Sequence, residues 1–158
     1  MLTKELSDYL NSGCVLYSTK RHPPAYSAQE VARQVHMPGR WVAKTVAVKL
    51  DGELALCIIP ASERVNFGIL GLVAGARSVE LASEEELSAY FPHCEPGVMP
   101  AFGNLYGLSV FLSESLKGDQ PLAFSSDNAS ERVVLSWLDF TKLVKPVILS
   151  DRLRNTIG

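Results

Sequence analysis

WVAKTVAVKLDGELALCIIP, residues 41–60, is the stretch that decides the architecture of the chain. Two apolar runs flank the dipeptide Asp51-Gly52, and the first run alternates in the manner of a strand. An Asp-Gly pair between two such runs favours a tight turn, because both residues tolerate positive φ. The stretch therefore predicts an antiparallel β-hairpin in the middle of the sequence.

Short helices and further strands surround this hairpin. Serine residues that can cap helices stand at Ser27, Ser83 and Ser136. Strand-like runs occur in CVLYS (residues 14–18), LSVFL, PLAFS and RVVLS. This mixture predicts an α/β fold, mixed α+β, with a mixed β-sheet and flanking helices. The 158 residues, 47% of them hydrophobic, fit one domain spanning residues 1–158.

Composition and charge exclude several classes of protein. The net charge of −2 argues against a protein that wraps nucleic acid, so no DNA partner is expected. No apolar run is long enough for a bilayer, and the first residues lack the shape of a signal peptide, so no membrane partner is expected. Three separated cysteines indicate reduced thiols and a cytoplasmic protein. The three histidines lack metal-ligand spacing and no cofactor fingerprint is present, so we expect neither metal nor cofactor.

One lysine shares a face with apolar side chains in the first hairpin strand. The two-residue period places Lys44 with Val42, Val46, Val48 and Leu50, on the side expected to face the core. An ammonium group there loses hydration unless it reaches solvent or meets an acceptor. Two interpretations stay open: Lys44 belongs to a functional site, where such lysines are enriched, or it precedes the strand or reaches the rim through its stem.

A second unusual stretch is EPGVMPAFGNLYG, residues 95–107. Pro96 and Pro100 exclude a helix and would cost a strand its ladder hydrogen bonds. The remaining residues are glycines and large apolar side chains of the kind that usually fill a core. A loop that is both stiff and apolar is typical of a ligand-binding wall.

Four blocks now stand in order along the chain: HPPAYSAQEVA, VAKTVAVK, EPGVMPAFGNLYG and LVKPVIL. In order and spacing they resemble the YbaK / prolyl-tRNA-synthetase-associated family of aminoacyl-tRNA deacylases, over about residues 15–149. The resemblance implies a curved mixed sheet with flanking helices and a pocket between the lysine strand and the glycine-containing loop. It also implies a trans-editing hydrolase whose substrate is the acceptor end of a mischarged aminoacyl-tRNA, with an aminoacyl-tRNA synthetase as a further candidate partner.

The resemblance also implies a set of site residues. The family lysine falls on Lys44 and the family's G-x-x-x-P loop begins at Gly97, and these two are the expected catalytic residues. The expected substrate-binding residues are His22, Tyr26, Thr45, Val98, Met99, Pro100, Ala101, Phe102, Gly103, Ser126 and Asp127.

The chain departs from the family pattern at two of these positions. Ala101 stands where the loop motif has proline, and Pro100 lies one position early. Asp127 stands where a later family block, Asn/Ser-Ala-Gly, has its glycine. Ala129 stands where close relatives commonly have a histidine. Both departures fall where the pocket is expected, so they bear on substrate preference and on activity.

The expected chemistry needs neither metal nor covalent nucleophile, because an aminoacyl ester is already activated. A bound water attacks the ester, backbone N–H groups of the 97–103 loop stabilise the oxyanion, and Lys44 holds the carbonyl or the terminal ribose and phosphate. Two alternatives stay open. One is a catalytically inactive module that binds an aminoacyl-tRNA end, a nucleotide or a small ligand in the same pocket, and the other is a partner protein whose loop docks on a synthetase.

Overall fold

A computed structural model describes residues 1–25, 27–95 and 98–150. The helices of this part of the chain are α1 (Lys4–Ser12), α2 (Ala28–Gln34), α3 (Phe67–Ala74), α4 (Glu84–Tyr90) and α5 (Trp137–Val144). The strands are β1 (Ser18–Arg21), β2 (Ala43–Leu50), β3 (Glu53–Pro60), β4 (Val79–Leu81), β5 (Ser109–Ser113), β6 (Leu122–Ser125), β7 (Glu131–Leu135) and β8 (Val147–Leu149).

The hairpin predicted at residues 41–60 is confirmed. Strands β2 and β3 pair antiparallel along their whole length, from Ala43 opposite Pro60 to Leu50 opposite Glu53. Asp51 and Gly52 form the turn with φ values of 50° and 88°. Positive φ at both positions matches the right-handed twist of the two strands, as a type I′ turn requires.

The strands divide into two sheets. A mixed five-stranded sheet has the order β4-β2-β3-β5-β8, with β5 parallel to both β3 and β8. An antiparallel three-stranded sheet has the order β1-β7-β6. A single parallel bridge between Val42 and Ala123 joins β2 of the first sheet to β6 of the second. The predicted mixed α/β fold is confirmed.

The helix starts follow the predicted caps. Ser27, Ser83 and Ser136 each precede a helix and accept a hydrogen bond from a backbone N–H in its first turn. At α4 the capping box is complete, because the Glu86 carboxylate also accepts from the Ser83 N–H. These bonds satisfy N–H groups that would otherwise lack a partner at a helix end.

Both faces of β2 are covered, which corrects the expected position of the core. The largest cluster packs against Ala43 and Ala47, on the face opposite Lys44. On the lysine face, Val42 belongs to a smaller cluster with α2 and Val48 to another with α3. The physical reason is side-chain size: small alanines leave room for the bulky aromatic residues of the main core.

Three phenylalanines lie at the centre of that main core. Phe102, Phe124 and Phe140 are fully buried. The rings of Phe124 and Phe140 stack at a centroid distance of 3.9 Å and an interplanar angle of 8°, and Phe102 meets Phe140 edge-on at 5.6 Å. These contacts join α5, β6 and the loop before β5 into one packed unit.

The start of the chain is anchored to the β6–β7 hairpin by two carboxylates. Asp127 accepts hydrogen bonds from the Thr3 N–H at 2.9 Å and from the Thr3 hydroxyl at 2.5 Å. The N-terminal ammonium of Met1 lies 3.0 Å from the buried carboxylate of Glu131. The hairpin thereby fixes the position of α1, whose Leu6 and Leu10 enter the main core.

We expect Phe140→Ala to lower the free energy of unfolding by about 3–5 kcal/mol, because it removes a ring from a packed aromatic cluster and leaves a cavity. Leu138→Ala on the same helix is the matched control, since Leu138 is 76% exposed, and it should change stability by less than about 0.5 kcal/mol. Urea unfolding of the two variants measures both values, and equal losses would contradict the assigned core.

We expect Glu131→Gln to weaken the dependence of stability on acid pH. Burial raises the pKa of Glu131, but hydrogen bonds from the N-terminal ammonium and Thr19 outweigh burial and hold the pKa below its ordinary 4.5. A lowered folded-state pKa stabilises the protein above the unfolded-state value, and this contribution disappears as pH falls through the folded value. Urea unfolding between about pH 6 and pH 3 should show a shallower decline in the variant than in the wild type. Equal declines would contradict the ion pair.

Candidate functional site

The site begins where the two sheets separate. Beyond the Val42–Ala123 bridge, β2 and β6 run in the same direction, and a hydrogen bond of 2.7 Å joins the hydroxyl groups of Thr45 and Ser125. The carbonyl of Ser125 instead accepts from the Ala101 N–H at 3.1 Å, so the loop before β5 occupies the edge of β6. A cavity of about 480 Å³ opens between the diverging strands.

Five segments line this cavity. They are β2, the hairpin formed by β6 and β7, the residues that lead into α2 with its first turn, the loop at Val98 and Met99, and the connection between β3 and α3 at Arg64. The remaining lining residues are His22, Ala25, Ser27, Ala28, Gln29, Lys44, Thr45, Val46, Arg64, Ser125, Asn128, Ala129 and Arg132. Five of the predicted site residues therefore meet at one cavity: His22, Lys44, Thr45, Val98 and Met99.

Lys44 lies in the gap between the two smaller clusters on its face of β2. Val42 packs with α2 and Val48 with α3, and the face between them opens into the cavity. The Lys44 side chain is half-buried, and its Nζ donates a hydrogen bond to the Glu63 carbonyl at 2.7 Å. An ammonium has three N–H donors, so this contact holds the side chain and leaves donors for a ligand.

The loop presents only its first described residues to the cavity. Val98 and Met99 line the wall, and the Val98 N–H already donates to the Glu95 carbonyl at 3.1 Å. Pro100 has no N–H, and the Ala101 N–H is bonded to Ser125. Of the described loop residues at the wall, Met99 is therefore the one whose N–H can meet a ligand.

The structure does not bring the next four candidates to the cavity. Pro100, Ala101, Phe102 and Gly103 are all buried, the last three in the main core or against it. A Cβ on Gly103 would lie 2.6 Å from a Val110 methyl, so this glycine is required by close packing. The apolar character that suggested a ligand wall here has a different cause, which is that this half of the loop fills the core.

Ser126 and Asp127 also face away from the cavity. The Ser126 hydroxyl donates to the Glu131 carbonyl at 2.5 Å within the β6–β7 turn. The carboxylate of Asp127 is occupied by Thr3, and its carbonyl accepts from the Glu95 N–H at 3.0 Å. Both residues support the frame of the site. Two further candidates, Tyr26 and Gly97, lie outside the described residues.

His22 is almost wholly buried at the rim of the cavity. Its Nδ1 lies 2.8 Å from the Pro23 carbonyl. A carbonyl only accepts, so Nδ1 carries a proton, and in the neutral ring Nε2 is the acceptor. The side chain is thereby fixed in one tautomer beside the cavity.

Sequence reasoning missed a buried cation in the floor. Arg132 of β7 is 9% exposed, and its Nη1 donates to the Ala43 carbonyl at 2.7 Å. Burial lowers the pKa of Arg132 to about 10, so the guanidinium is still charged at neutral pH. In the sequence this residue only begins an apolar strand, where a charge is unremarkable. The two-residue period that identified Lys44 was the one available signal.

The charged side chains among the described lining residues are all of one sign. Lys44, Arg64 and Arg132 line it, and none of its described lining residues is an aspartate or a glutamate. Across the described ranges, no three His, Cys, Asp or Glu side chains are grouped as metal ligands. Within the same part of the chain, no helix combines the length and apolarity that crossing a membrane demands.

The family of the chain follows from its sequence as a whole. The family model of the aminoacyl-tRNA editing domain matches residues 22–143. This range holds most of the chain and every residue of the cavity, so the chain belongs to the aminoacyl-tRNA editing domain family. The resemblance found in the four sequence blocks is confirmed. No curated protein sequence matches the chain at a significant level.

Solved structures show the same fold at low sequence identity. The hypothetical protein APE2540 superposes with a TM-score of 0.83 at 15% identity, over 94% of this chain and 98% of that one. "A putative trans-editing enzyme for prolyl tRNA synthetase" gives a TM-score of 0.81 at 15% identity, over 95% of this chain and 98% of that one. A "putative signal transduction protein" from Marinobacter aquaeolei VT8 gives 0.70 at 14% identity, over 94% of this chain but 30% of that one.

We expect Thr45 and Ser125 to be energetically coupled, because their hydroxyl groups are the contact between β2 and β6 at the cavity. In a double-mutant cycle of Thr45→Val and Ser125→Ala, the coupling energy should be about 0.5–1.5 kcal/mol. The cycle is measured by urea unfolding of the two single variants and the double variant. Fully additive losses would show that the hydroxyl contact does not hold the strands together.

Proposed function

We propose that this editing domain is a cytoplasmic aminoacyl-tRNA deacylase that acts in trans on the acceptor end of mischarged tRNA. The observation that carries the proposal is the cavity that Lys44 of β2 lines together with the loop residues Val98 and Met99. A bound water adds to the ester carbonyl, the bond from that carbon to the ribose oxygen breaks, and the ribose oxygen takes up the proton. The products are the free amino acid and the uncharged tRNA.

Lys44 is proposed to orient the substrate. Its contact with the Glu63 carbonyl fixes the ammonium at the wall, and its remaining donors can meet the ester carbonyl or the terminal ribose. The positive charge would also favour negative charge that develops on the carbonyl oxygen as water adds.

Backbone N–H groups are proposed to stabilise the oxyanion. Met99 offers one from the loop, and Gly97 stays a candidate from the family resemblance. The Thr45 N–H is a further candidate donor. The carbonyl of Val42 accepts a hydrogen bond from the Ala61 N–H, on the β3 side of the strand. Backbone groups of an antiparallel strand alternate between its two edges, so the Thr45 N–H points to the opposite edge, where the cavity lies. In other enzymes one well-placed donor of this kind contributes about 3–4 kcal/mol.

Selection of the amino acid is proposed to be steric. Small and medium side chains shape the wall, among them Ala25, Ala28, Val46 and Ala129. A pocket of this type discriminates one methylene group by only about 1–3 kcal/mol, so moderate rather than absolute selectivity is expected.

The proposal is tested by incubating the protein with a panel of correctly and wrongly charged tRNAs, including Ala and Cys on tRNA(Pro), and following loss of the ester. Hydrolysis of at least one mischarged species above the spontaneous rate supports the deacylase. The absence of hydrolysis across a broad panel would overturn it.

On a substrate that is hydrolysed, we expect Lys44→Ala to lower the rate by about 10²–10³-fold, because it removes the cation that orients the ester. Lys49→Ala is the matched control. Lys49 lies on the same strand, but its Nζ is 3.1 Å from Glu86 and it does not line the cavity. The control should stay within about threefold of the wild-type rate. Equal effects of the two substitutions would remove Lys44 from the mechanism.

A binding module without catalysis is the second candidate. It is favoured by the loop backbone, in which the Val98 and Ala101 N–H groups are already bonded within the protein. A binding module would retain charged tRNA without accelerating loss of the ester, which the same panel distinguishes when binding is measured beside hydrolysis.

A further inference from the structure

The cavity is lined by a buried positive charge for which the described part of the chain supplies no ion-pair partner. Arg132 is 9% exposed, and its Nη1 donates to a neutral acceptor, the Ala43 carbonyl. Within the described ranges, no carboxylate forms an ion pair with it. Buried guanidinium groups are normally paired with an anion, because burial removes the water that stabilises the charge.

The register of the three-stranded sheet extends this charge toward the rim. Arg132 lies directly between Lys20 of β1 and Ser125 of β6, so the three side chains project from one face of the sheet. Lys20 is exposed, whereas Arg132 and Ser125 line the cavity. The row therefore runs from a solvent-exposed cation, through a buried one, to a hydroxyl group.

Two further cations face the same space. Half-buried Lys44 and exposed Arg64 line the cavity, and no aspartate or glutamate stands among its described lining residues. An aminoacyl ester brings an α-ammonium of its own, which such a wall repels. A ligand that also brings an anion removes this repulsion and supplies the missing partner of the guanidinium.

We infer that Arg132 is an anion-binding residue of the cavity and that the preferred ligand places a carboxylate or phosphate oxygen against its free N–H groups. A guanidinium has five N–H donors, and the Ala43 carbonyl engages Nη1 alone. For the proposed deacylase, the anion is the phosphate of the terminal nucleotide or a carboxylate of the acyl group. The inference rests on the proposed function only in taking this cavity as the substrate site.

The test compares anionic probes with neutral counterparts by calorimetric titration, using the full chain. The phosphate pair is AMP and adenosine. The carboxylate pair consists of two derivatives of 3′-amino-3′-deoxyadenosine. In the anionic member the 3′-nitrogen is joined by an amide bond to the α-carboxyl group of glutamate, and in the neutral member to that of glutamine. Because the amides are not hydrolysed and AMP has no aminoacyl ester, binding is measured without turnover. A failure here is therefore distinct from a failure of the deacylase assay.

In the wild type, the anionic member of at least one pair should bind about tenfold or more tightly than its neutral counterpart. Preference within the AMP pair identifies a phosphate subsite, and preference within the glutamate pair identifies a carboxylate subsite. Arg132→Gln should reduce the preference to within about twofold. Arg33→Gln is the matched control, because Arg33 is exposed on α2 and does not line the cavity, and it should retain the preference.

The inference is overturned if neither pair shows a preference in the wild type, or if the preference survives in Arg132→Gln. Thermal unfolding shows whether that variant is folded. If it is not, Arg132→Lys replaces it, because lysine keeps the charge but loses the planar set of donors. Arg132→Lys should reduce the preference by about threefold or more, and an undiminished preference would equally overturn the inference.

Discussion

The separation of the two sheets depends on which groups form hydrogen bonds with the backbone along the outer edge of β2, the edge that faces away from β3. The Ala43 carbonyl points to that edge and receives a hydrogen bond from Arg132, and the Ala47 carbonyl receives one from the Ala82 N–H. Buried backbone groups must be paired, so without these bonds the edge would have to close against β6. On the β6 side, the Ser125 carbonyl accepts its hydrogen bond from the Ala101 N–H and not from β2. The cavity is therefore a gap that specific hydrogen bonds keep open.

The residues at 101–103, shortly before β5, are packed in the core. Ala101, Phe102 and Gly103 are buried, and Phe102 is packed edge-on against Tyr9 as well as Phe140. The short segment at Val98 and Met99 projects from this base into the cavity wall. A backbone donor held this way needs little reorganisation when charge develops near it, which is what makes such donors effective. The core residues at 101–103 therefore support the part of the wall formed by Val98 and Met99.

Local signals made much of the fold predictable. Asp51-Gly52 fixed the hairpin because its turn chemistry is short-range, and the serine caps marked helix starts for the same reason. The first strand was predicted at residues 14–18 but lies at Ser18–Arg21, because Cys14 takes a positive φ of 54° and the pairing with β7 sets the register. That partner is more than a hundred residues away, and no local pattern encodes it.

The same division between local and distant information applies to the site. Lys44 was recognisable because its neighbours on one strand are apolar, and the structure does bring it to a cavity. Phe102 looked like a ligand contact because local sequence does not distinguish a core aromatic residue from an exposed one. The burial of Arg132 was harder to predict, because it depends on residues of β2 and β6 that are distant in sequence and lie against it in the fold. A charge enclosed in this way is a property of the assembled fold.

The enclosed charge bears on how far family membership determines the ligand. The solved structure that superposes with a TM-score of 0.81 at 15% identity shares the backbone path of this chain, although most of its side chains differ. Backbone donors at a cavity wall survive such divergence, because they depend on the path of the chain. The potential inside the cavity has a different origin, because it is set by a few side chains such as Lys44, Arg64 and Arg132. In the proposed deacylase, water addition to the ester would therefore depend on the backbone donors of the wall, whereas the choice of ester would depend on the charges of Lys44, Arg64 and Arg132.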